Sequence, residues 1–266
     1  MPSLLLQTAL AAAHAAGDVL REKLPQDRTV TYKGRRDIVT DADFAAQGVI
    51  SALIAERFPD HAMLAEEGLH DADLLGPRPL WIVDPLDGTS NYARRYPGFS
   101  VTIGVAQGGQ LLVGVTHDPL RRETFYAERG QGAFVQPAGS APQRLSVSAT
   151  PALDQALVGL DWARDPEIRA RVLQALGRVG VACRTVRALG SAALGLAYVA
   201  AGWQDAYFHL SVQPWDVAAG VLLITEAGGQ VTRPGGGAWD LRAPALAASN
   251  GALHAGFVAA LGLGPD

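Results

Sequence analysis

The stretch Trp81-Ile82-Val83-Asp84-Pro85-Leu86-Asp87-Gly88-Thr89-Ser90-Asn91-Tyr92 carries more information than any other in this 266-residue chain. Its opening residues are apolar and β-favouring, so they read as a buried strand that delivers Asp84 at its end. Pro85 fixes the backbone, and Asp87 follows after a tight turn. Gly88 has no Cβ and lets the chain approach a ligand closely. A short helix beginning near Thr89 would aim its free N–H groups at whatever the aspartates hold. Two carboxylates three residues apart beside an anion site suit Mg²⁺. That ion takes one or two protein carboxylates together with phosphate oxygens and keeps several waters. Asp-Gly alone is an ordinary hairpin turn; the full string points beyond that reading.

Upstream, Ala62–Ala65 reads as a short strand running into Glu66-Glu67-Gly68. Downstream, Trp215-Asp216-Val217-Ala218-Ala219-Gly220 places Asp216 near the start of a helix whose small residues permit tight packing. Taken singly, paired glutamates are a solvated loop and an aspartate at a helix start is a cap. Taken together, Glu66, Asp84, Asp87 and Asp216 at one site would repel unless cations neutralised them. The expectation is a multi-metal centre, in which two ions roughly 3.5–4 Å apart clamp the attacking and leaving oxygens.

The flanking pattern is strands first, then strand–helix alternation. An amphipathic helix is expected from about Ser3 to Leu24, stopped by Pro25, and a second over 42–57. Runs 99–106, 111–116, 124–127 and 133–135 have strand character, with Gly108-Gly109 as a hairpin turn. The Pro-, Gly- and Ala-rich segment 136–142 is the expected boundary between two lobes, about 1–140 and 141–266, of a single domain. After it come helix 166–178, strand 181–186, helix 191–201, strand 206–210, helix 215–227, strands 230–232 and 246–249, and a closing helix. This order predicts a layered α/β sandwich whose halves meet over one site.

Composition sets the outer limits. A chain of this length hides roughly three quarters of its unfolded surface, and 48% hydrophobic with 18% charged residues is ordinary for a globular protein. A net charge of −4 and a pI near 5.9 provide no global basic field for nucleic acid. The single cysteine, Cys183, has no internal disulfide partner, which fits a reducing cytoplasm, and its apolar neighbours suggest a buried thiol. The N-terminal run lacks a basic leader, and no stretch reaches the ~18–20 apolar residues that span a bilayer. A soluble cytoplasmic protein is expected. His14, His61, His70, His117 and His254 show no zinc-ligand spacing.

Asp84-Pro85-Leu86-Asp87-Gly88-Thr89, followed far downstream by Trp215-Asp216-Val217-Ala218-Ala219-Gly220, resembles the paired signature of the inositol monophosphatase family. Lys33 with Asp37-Ile38-Val39-Thr40-Asp41-Ala42-Asp43 resembles its N-terminal metal-site segment. Gly190-Ser191-Ala192-Ala193 is similar to its substrate loop, and Glu226-Ala227-Gly228-Gly229 to a helix end. The resemblance implies an αβαβα sandwich shared with fructose-1,6-bisphosphatases, a homodimer, two or three Mg²⁺ ions and lithium sensitivity. It implies that Glu66, Asp84 and the Leu86 carbonyl bind one Mg²⁺, that Asp84, Asp87 and Asp216 bind another, and that Glu66 helps hold a third. Thr89 paired with Asp43 would orient the attacking water. The Gly88 and Thr89 amides would receive the phosphate, with Ala192 and residue 209 on the alcohol side. The two residues between Asp84 and Asp87 argue for direct water attack, since an aspartyl-nucleophile motif has one.

His209 departs from the family pattern, which has an acidic residue there to hold inositol hydroxyls. It is read either as a ligand contact or as a structural histidine. Arg184 and Arg187 precede the Gly190 loop and touch substrate or pair with carboxylates, and Asp161 and Trp162 are placed at the pocket rim. Substrates left open are inositol monophosphate or a related sugar or polyol phosphate, fructose-1,6-bisphosphate, histidinol phosphate and adenosine 3′,5′-bisphosphate. A reading of another class is an interaction protein of the transcription machinery, a role associated with some bacterial relatives.

Overall fold

In the computed structural model, which describes residues 2–68 and 72–264, the opening apolar run forms helix α1 (Leu4–Lys23). Ser3 caps it by accepting from the Leu6 amide at 3.2 Å, and Leu6, Ala9, Ala13, Ala16 and Leu20 bury one face at helical spacing. An antiparallel hairpin of β1 (Val30–Gly34) and β2 (Asp37–Thr40) then leads into α2 (Asp41–Arg57). The sequence pattern did not reveal this hairpin, and the reason is physical: β1 is exposed along its whole length, so no alternation of apolar residues marks it.

Helices α1 and α2 cover one face of a seven-stranded sheet. Its spatial order is its chain order: β3 (Ala62–Ala65), β4 (Leu80–Asp87), β5 (Ser100–Gln107), β6 (Gln110–Asp118), β7 (Glu123–Glu128), β8 (Gly132–Pro137) and β9 (Gln143–Arg144). Only the β3–β4 pair is parallel. Gly108 and Gly109, at φ 58° and 73°, make the tight β5–β6 turn. The short helix α3 (Thr89–Ala93) follows β4. The expected lobe boundary at 136–142 falls at the β8–β9 connection, one short strand before this sheet ends.

The second half alternates: β10 (Leu157–Leu160), α4 (Pro166–Ala182), β11 (Thr185–Ala188), α5 (Ala192–Ala200), β12 (Ala206–His209), α6 (Pro214–Glu226), β13 (Gln230–Thr232), β14 (Leu246–Ser249) and α7 (His254–Leu261). Its five strands lie in the order β11-β10-β12-β14-β13. Helix α4 runs to Ala182 because Val179 continues its buried face, so the strand expected from 181 begins at Thr185. Helices α5 and α6, apolar on nearly all sides, lie between the two sheets, and α4 and α7 cover the far face of the smaller one. The layers are therefore α, β, α, β, α, as expected for the fold class. Among the described residues no helix is long and apolar enough to cross a membrane.

One contact fixes the depth of the site. Gly104 and Gly114 let α6 settle directly on the large sheet. A Cβ on Gly114 would stand 2.7 Å from the Ala219 carbonyl oxygen, and one on Gly104 would stand 2.9 Å from Ala218 Cβ. This close approach brings the first turn of α6, with Asp216, toward the end of β4.

Candidate active site

Residues three apart on a regular strand face opposite ways, yet Asp84 and Asp87 line the same cavity. A bulge reconciles the two. Asp84 pairs with Thr102 and Asp87 with Ser100, so Pro85 and Leu86 together oppose only Val101. Pro85 belongs there because a bulge tolerates a residue with no ladder donor. Gly88, at φ 92°, then turns the chain into α3. A Cβ there would lie 2.9 Å from the Gly98 carbonyl oxygen and 3.0 Å from that of Gly190.

The cavity has a volume of about 660 Å³. Glu66, Asp84, Leu86, Asp87, Gly88, Thr89, Ala192, His209 and Asp216 all line it. Asp84 Oδ1 accepts from the Leu86 amide at 2.9 Å. Asp87 Oδ2 accepts from the Ser191 hydroxyl at 2.5 Å and the Ala193 amide at 2.8 Å. Asp216 Oδ2 accepts from the Gln213 amide at 2.7 Å, closing a capping box on α6. Lys33 Nζ lies 3.1 Å from Glu66 and 2.7 Å from Glu67, and Arg164 lies 3.7 Å from Glu66.

Crowding these acids together in a buried place disfavours their charged forms. Burial first, then the charges of Glu66, Asp87 and Asp216, hold Asp84 well above the usual carboxylate range. Burial pushes Asp216 up to about 8; the Gln213 amide opposes this, while Asp87 and Glu66 add to it. Burial pushes Asp87 up to about 6 against the stabilising bonds from Ser191 and Ala193. A divalent cation bound among them would offset this cost.

Beside it, the Thr89 hydroxyl stands 3.2 Å from Asp43 Oδ1 and 3.1 Å from the Leu86 carbonyl oxygen. Asp43 is fully buried at the N-terminus of α2, where its other oxygen accepts from the Thr40 amide at 2.8 Å and the Thr40 hydroxyl at 2.6 Å. Burial raises its pKa to about 6 although the Thr40 bonds oppose the shift.

The donors are all oxygens, and Asp84, Asp87 and Asp216 have no cationic side chain at ion-pair distance among the described residues, which fits a hard divalent cation. Among the described residues no three His, Cys, Asp or Glu side chains are arranged, as they stand, to hold one ion. The hydrogen bonds just given engage one oxygen each of Asp84, Asp87 and Asp216.

A sequence profile of the inositol monophosphatase family matches residues 1–263. The chain belongs to the inositol monophosphatase family. That membership supports phosphatase activity. A protein named Nus factor SuhB from Salmonella typhimurium is 38% identical over 240 residues, covering 88% of this chain and 86% of that one. A tomato (Solanum lycopersicum) protein named inositol monophosphatase 2 is 36% identical over 262 residues, covering 96% and 97%. The crystal structure of the extragenic suppressor protein suhB from Bartonella henselae superposes with a TM-score of 0.90 at 33% identity, covering 99% of this chain and all (100%) of that one.

Two expected contacts change. Arg187 stands outside the cavity: it is exposed, and its guanidinium turns back to Thr185 Oγ1 and the Val186 carbonyl, both at 2.8 Å. Cys183 is only half-buried and donates to the Thr185 carbonyl at 3.5 Å. His70 lies outside the described residues.

Other residues gain roles that their sequence context concealed. Asn91 Nδ2 donates to the Gly98 and Leu189 carbonyls at 2.6 and 2.8 Å, tying α3 to the loop before α5. Asp161 accepts from the Gly190 amide at 2.6 Å and the Tyr207 hydroxyl at 3.0 Å, and burial pushes it to about 7. Arg36, Arg164 and Arg169 join Trp162 in lining the cavity. They belong to no local motif, and only the fold assembles them.

Proposed function

We propose that this family member hydrolyses phosphate monoesters of sugar or polyol type with Mg²⁺ and an attacking water. The reading rests on one observation: four carboxylates, Glu66, Asp84, Asp87 and Asp216, line one cavity next to the Thr89–Asp43 pair. Glu66, Asp84 and the Leu86 carbonyl would hold one ion; Asp84, Asp87 and Asp216 would hold a second; Glu66 would share a third. When bound, the cations supply Lewis acidity and neutralise phosphate oxygens.

The chain's own groups do the rest. Thr89 donates its single proton to Asp43, leaving its lone pairs to accept a proton from a water. Asp43, whose pKa burial raises to about 6, takes up the proton that Thr89 relays as the water oxygen bonds to phosphorus; the ester P–O bond breaks, and the departing alkoxide takes a proton from solvent water. The Gly88 and Thr89 amides hold the phosphate, while Ala192 and His209 face the alcohol. Phosphoryl transfer asks mainly for such positioning and charge neutralisation. The tomato relative's name places inositol 1-phosphate in the panel of esters to test, and a cytoplasmic homodimer is the proposed working form.

The test is phosphate release from a panel of monoesters, including inositol 1-phosphate, in Mg²⁺ and in EDTA. Release that requires Mg²⁺ is expected; none from any ester, by folded protein, overturns the reading. The Nus factor name of the Salmonella relative favours a second role in binding transcription proteins. Recovery of such proteins equally well by wild type and Asp84→Asn would establish that role as independent of the carboxylates.

A further inference from the structure

The cavity is lined by two chemically opposite sets of side chains: the carboxylates, called its floor, and Arg36, Arg164 and Arg169, called its rim. These arginines come from three separate places: the β1–β2 turn, the loop after β10, and the first turn or so of α4. Arg164 is tied to Asp37 at 3.0 Å and Glu66 at 3.7 Å. Arg36 donates to the Arg164 carbonyl oxygen at 3.2 Å, and Arg169 lies over the Trp162 ring at 5.1 Å from its centroid. Among the described residues neither Arg36 nor Arg169 meets a carboxylate at ion-pair distance.

A shortage of acids does not explain this. The chain has 26 acidic residues against 22 lysines and arginines. Nor does helix stability, because a cation four residues into α4 opposes the helix dipole. Trp162 supports the Arg169 guanidinium by a cation–π contact, which holds it at the mouth without neutralising it.

His209 extends the pattern. Its Nδ1 accepts from the Ser211 amide at 3.0 Å, so the neutral ring carries its proton on Nε2. The only hydrogen-bonding group it has left for a ligand is therefore a donor. The acid on this side, Asp161, is already occupied by the Gly190 amide and the Tyr207 hydroxyl. A rim made of donors, with two guanidinium groups, Arg36 and Arg169, that meet no carboxylate among the described residues, matches an anion.

We infer that the substrate is a phosphate monoester bearing a second anionic group, a phosphate or a carboxylate, held by Arg36, Arg164 and Arg169 while the first phosphate lies over the carboxylates. The inference rests on the phosphatase reading for its catalytic half. A planar guanidinium pairs with two oxygens of either anion, so both chemical classes fit the same rim.

The experiment compares matched esters with Mg²⁺: fructose 1-phosphate against fructose 1,6-bisphosphate, and glycerol 2-phosphate against 2-phosphoglycerate. It is run on wild type, on Arg36→Gln/Arg169→Gln, and on Arg233→Gln as a remote control. At least one member with a second anion should have a kcat/KM about tenfold or more above its partner, chiefly through KM, as expected of ground-state binding energy. Which pair shows it distinguishes phosphate from carboxylate. In the double variant the ratio should fall toward one, and in Arg233→Gln it should stay. Equal kcat/KM within both pairs, or a ratio unchanged in the double variant, overturns the inference.

If no ester is hydrolysed, the phosphatase reading fails on its own. The rim is then judged by calorimetric binding of fructose 1,6-bisphosphate and fructose 1-phosphate. Tighter, arginine-dependent binding of the bisphosphate upholds it, and equal binding overturns it.

Discussion

The floor and the rim of this cavity are built in opposite ways. Floor carboxylates sit on a strand end, a bulge and a helix start; Glu66, Asp84 and Asp87 are buried and Asp216 is half-buried, with Asp84, Asp87 and Asp216 fixed by backbone or hydroxyl donors. Rim arginines sit on a hairpin turn, a loop and a helix surface; Arg36 and Arg164 are exposed and Arg169 is half-buried. Burial makes charge expensive, so the floor is tense until a cation arrives. Exposure makes charge cheap, so the rim keeps Arg36 and Arg169 without a carboxylate partner among the described residues at little cost. The difference assigns chemistry to the floor and selection to the rim.

The sharpest way to break this division is Asp87→Asn. The amide keeps the shape but removes the negative charge of a proposed metal ligand. Turnover should fall by at least about 10³-fold, the scale of losing one major electrostatic contribution to the transition state. Near-normal turnover would remove Asp87 from the chemistry and the two-ion assignment with it.

The second test addresses the tension itself. Asp84, Asp87 and Asp216 all have folded-state pKa values raised above the ordinary carboxylate value. A raised value means that the folded protein holds protons the unfolded chain has released. Their contribution to stability is therefore present in acid and lost as pH rises from about 4 through about 8. Metal-free protein should lose melting temperature over that window through these groups. At pH 8.5, Mg²⁺ at a hundred times its dissociation constant adds about 2.7 kcal/mol. For a domain of this size that is roughly 5–10 °C. At pH 5.5 protons compete for the same oxygens, and the gain should shrink. A melting curve indifferent to Mg²⁺ at pH 8.5 would show that the floor carries no such tension.

These two experiments also mark what the sequence made legible. The carboxylates were legible because each lies in a short contiguous string with a mechanical reason for its neighbours: Pro85 for the bulge, Gly88 for the turn, Ala218 and Ala219 for the close approach of α6. The layer order was legible because apolar period and helix caps are local. The β1–β2 hairpin was not, since it buries nothing. The arginine rim was not, since Arg36 and Arg169 are 133 positions apart and neither has a motif. Arg187 looked eligible by its place before Gly190, but its side chain satisfies itself on its own strand.

Thr89→Ala tests the boundary of the floor. It removes the hydroxyl that contacts Asp43 and is proposed to orient the attacking water, while leaving every proposed metal ligand in place. A fall in kcat of about 10²-fold is expected, the scale of a positioned acid–base group. Asp43→Asn should cost a similar amount, and the double variant little more, because the two act as one unit. Additive losses would mean that Asp43 acts independently of Thr89, as through the capping box it forms with Thr40 on α2.

The smallest effect is expected from His209→Glu, the substitution that blurs the two halves. Histidine here presents a donor, because Ser211 occupies Nδ1; glutamate presents acceptors and adds negative charge to the selecting side. Preference should move toward esters rich in hydroxyl groups, such as inositol 1-phosphate, and away from those with a second anion, by about tenfold in the ratio of kcat/KM. That is the scale of one hydrogen bond gained or lost, about 1.4 kcal/mol. Burial, assisted by the Arg164 charge, lowers the His209 pKa to about 4, so the wild-type ratio should show no contribution from this ring between pH 6 and pH 9, values roughly two units or more above that midpoint. A selectivity that titrates near pH 6.5 would mean the ring is charged when it meets the ligand, and the rim would then hold a fourth cation in place of a neutral donor.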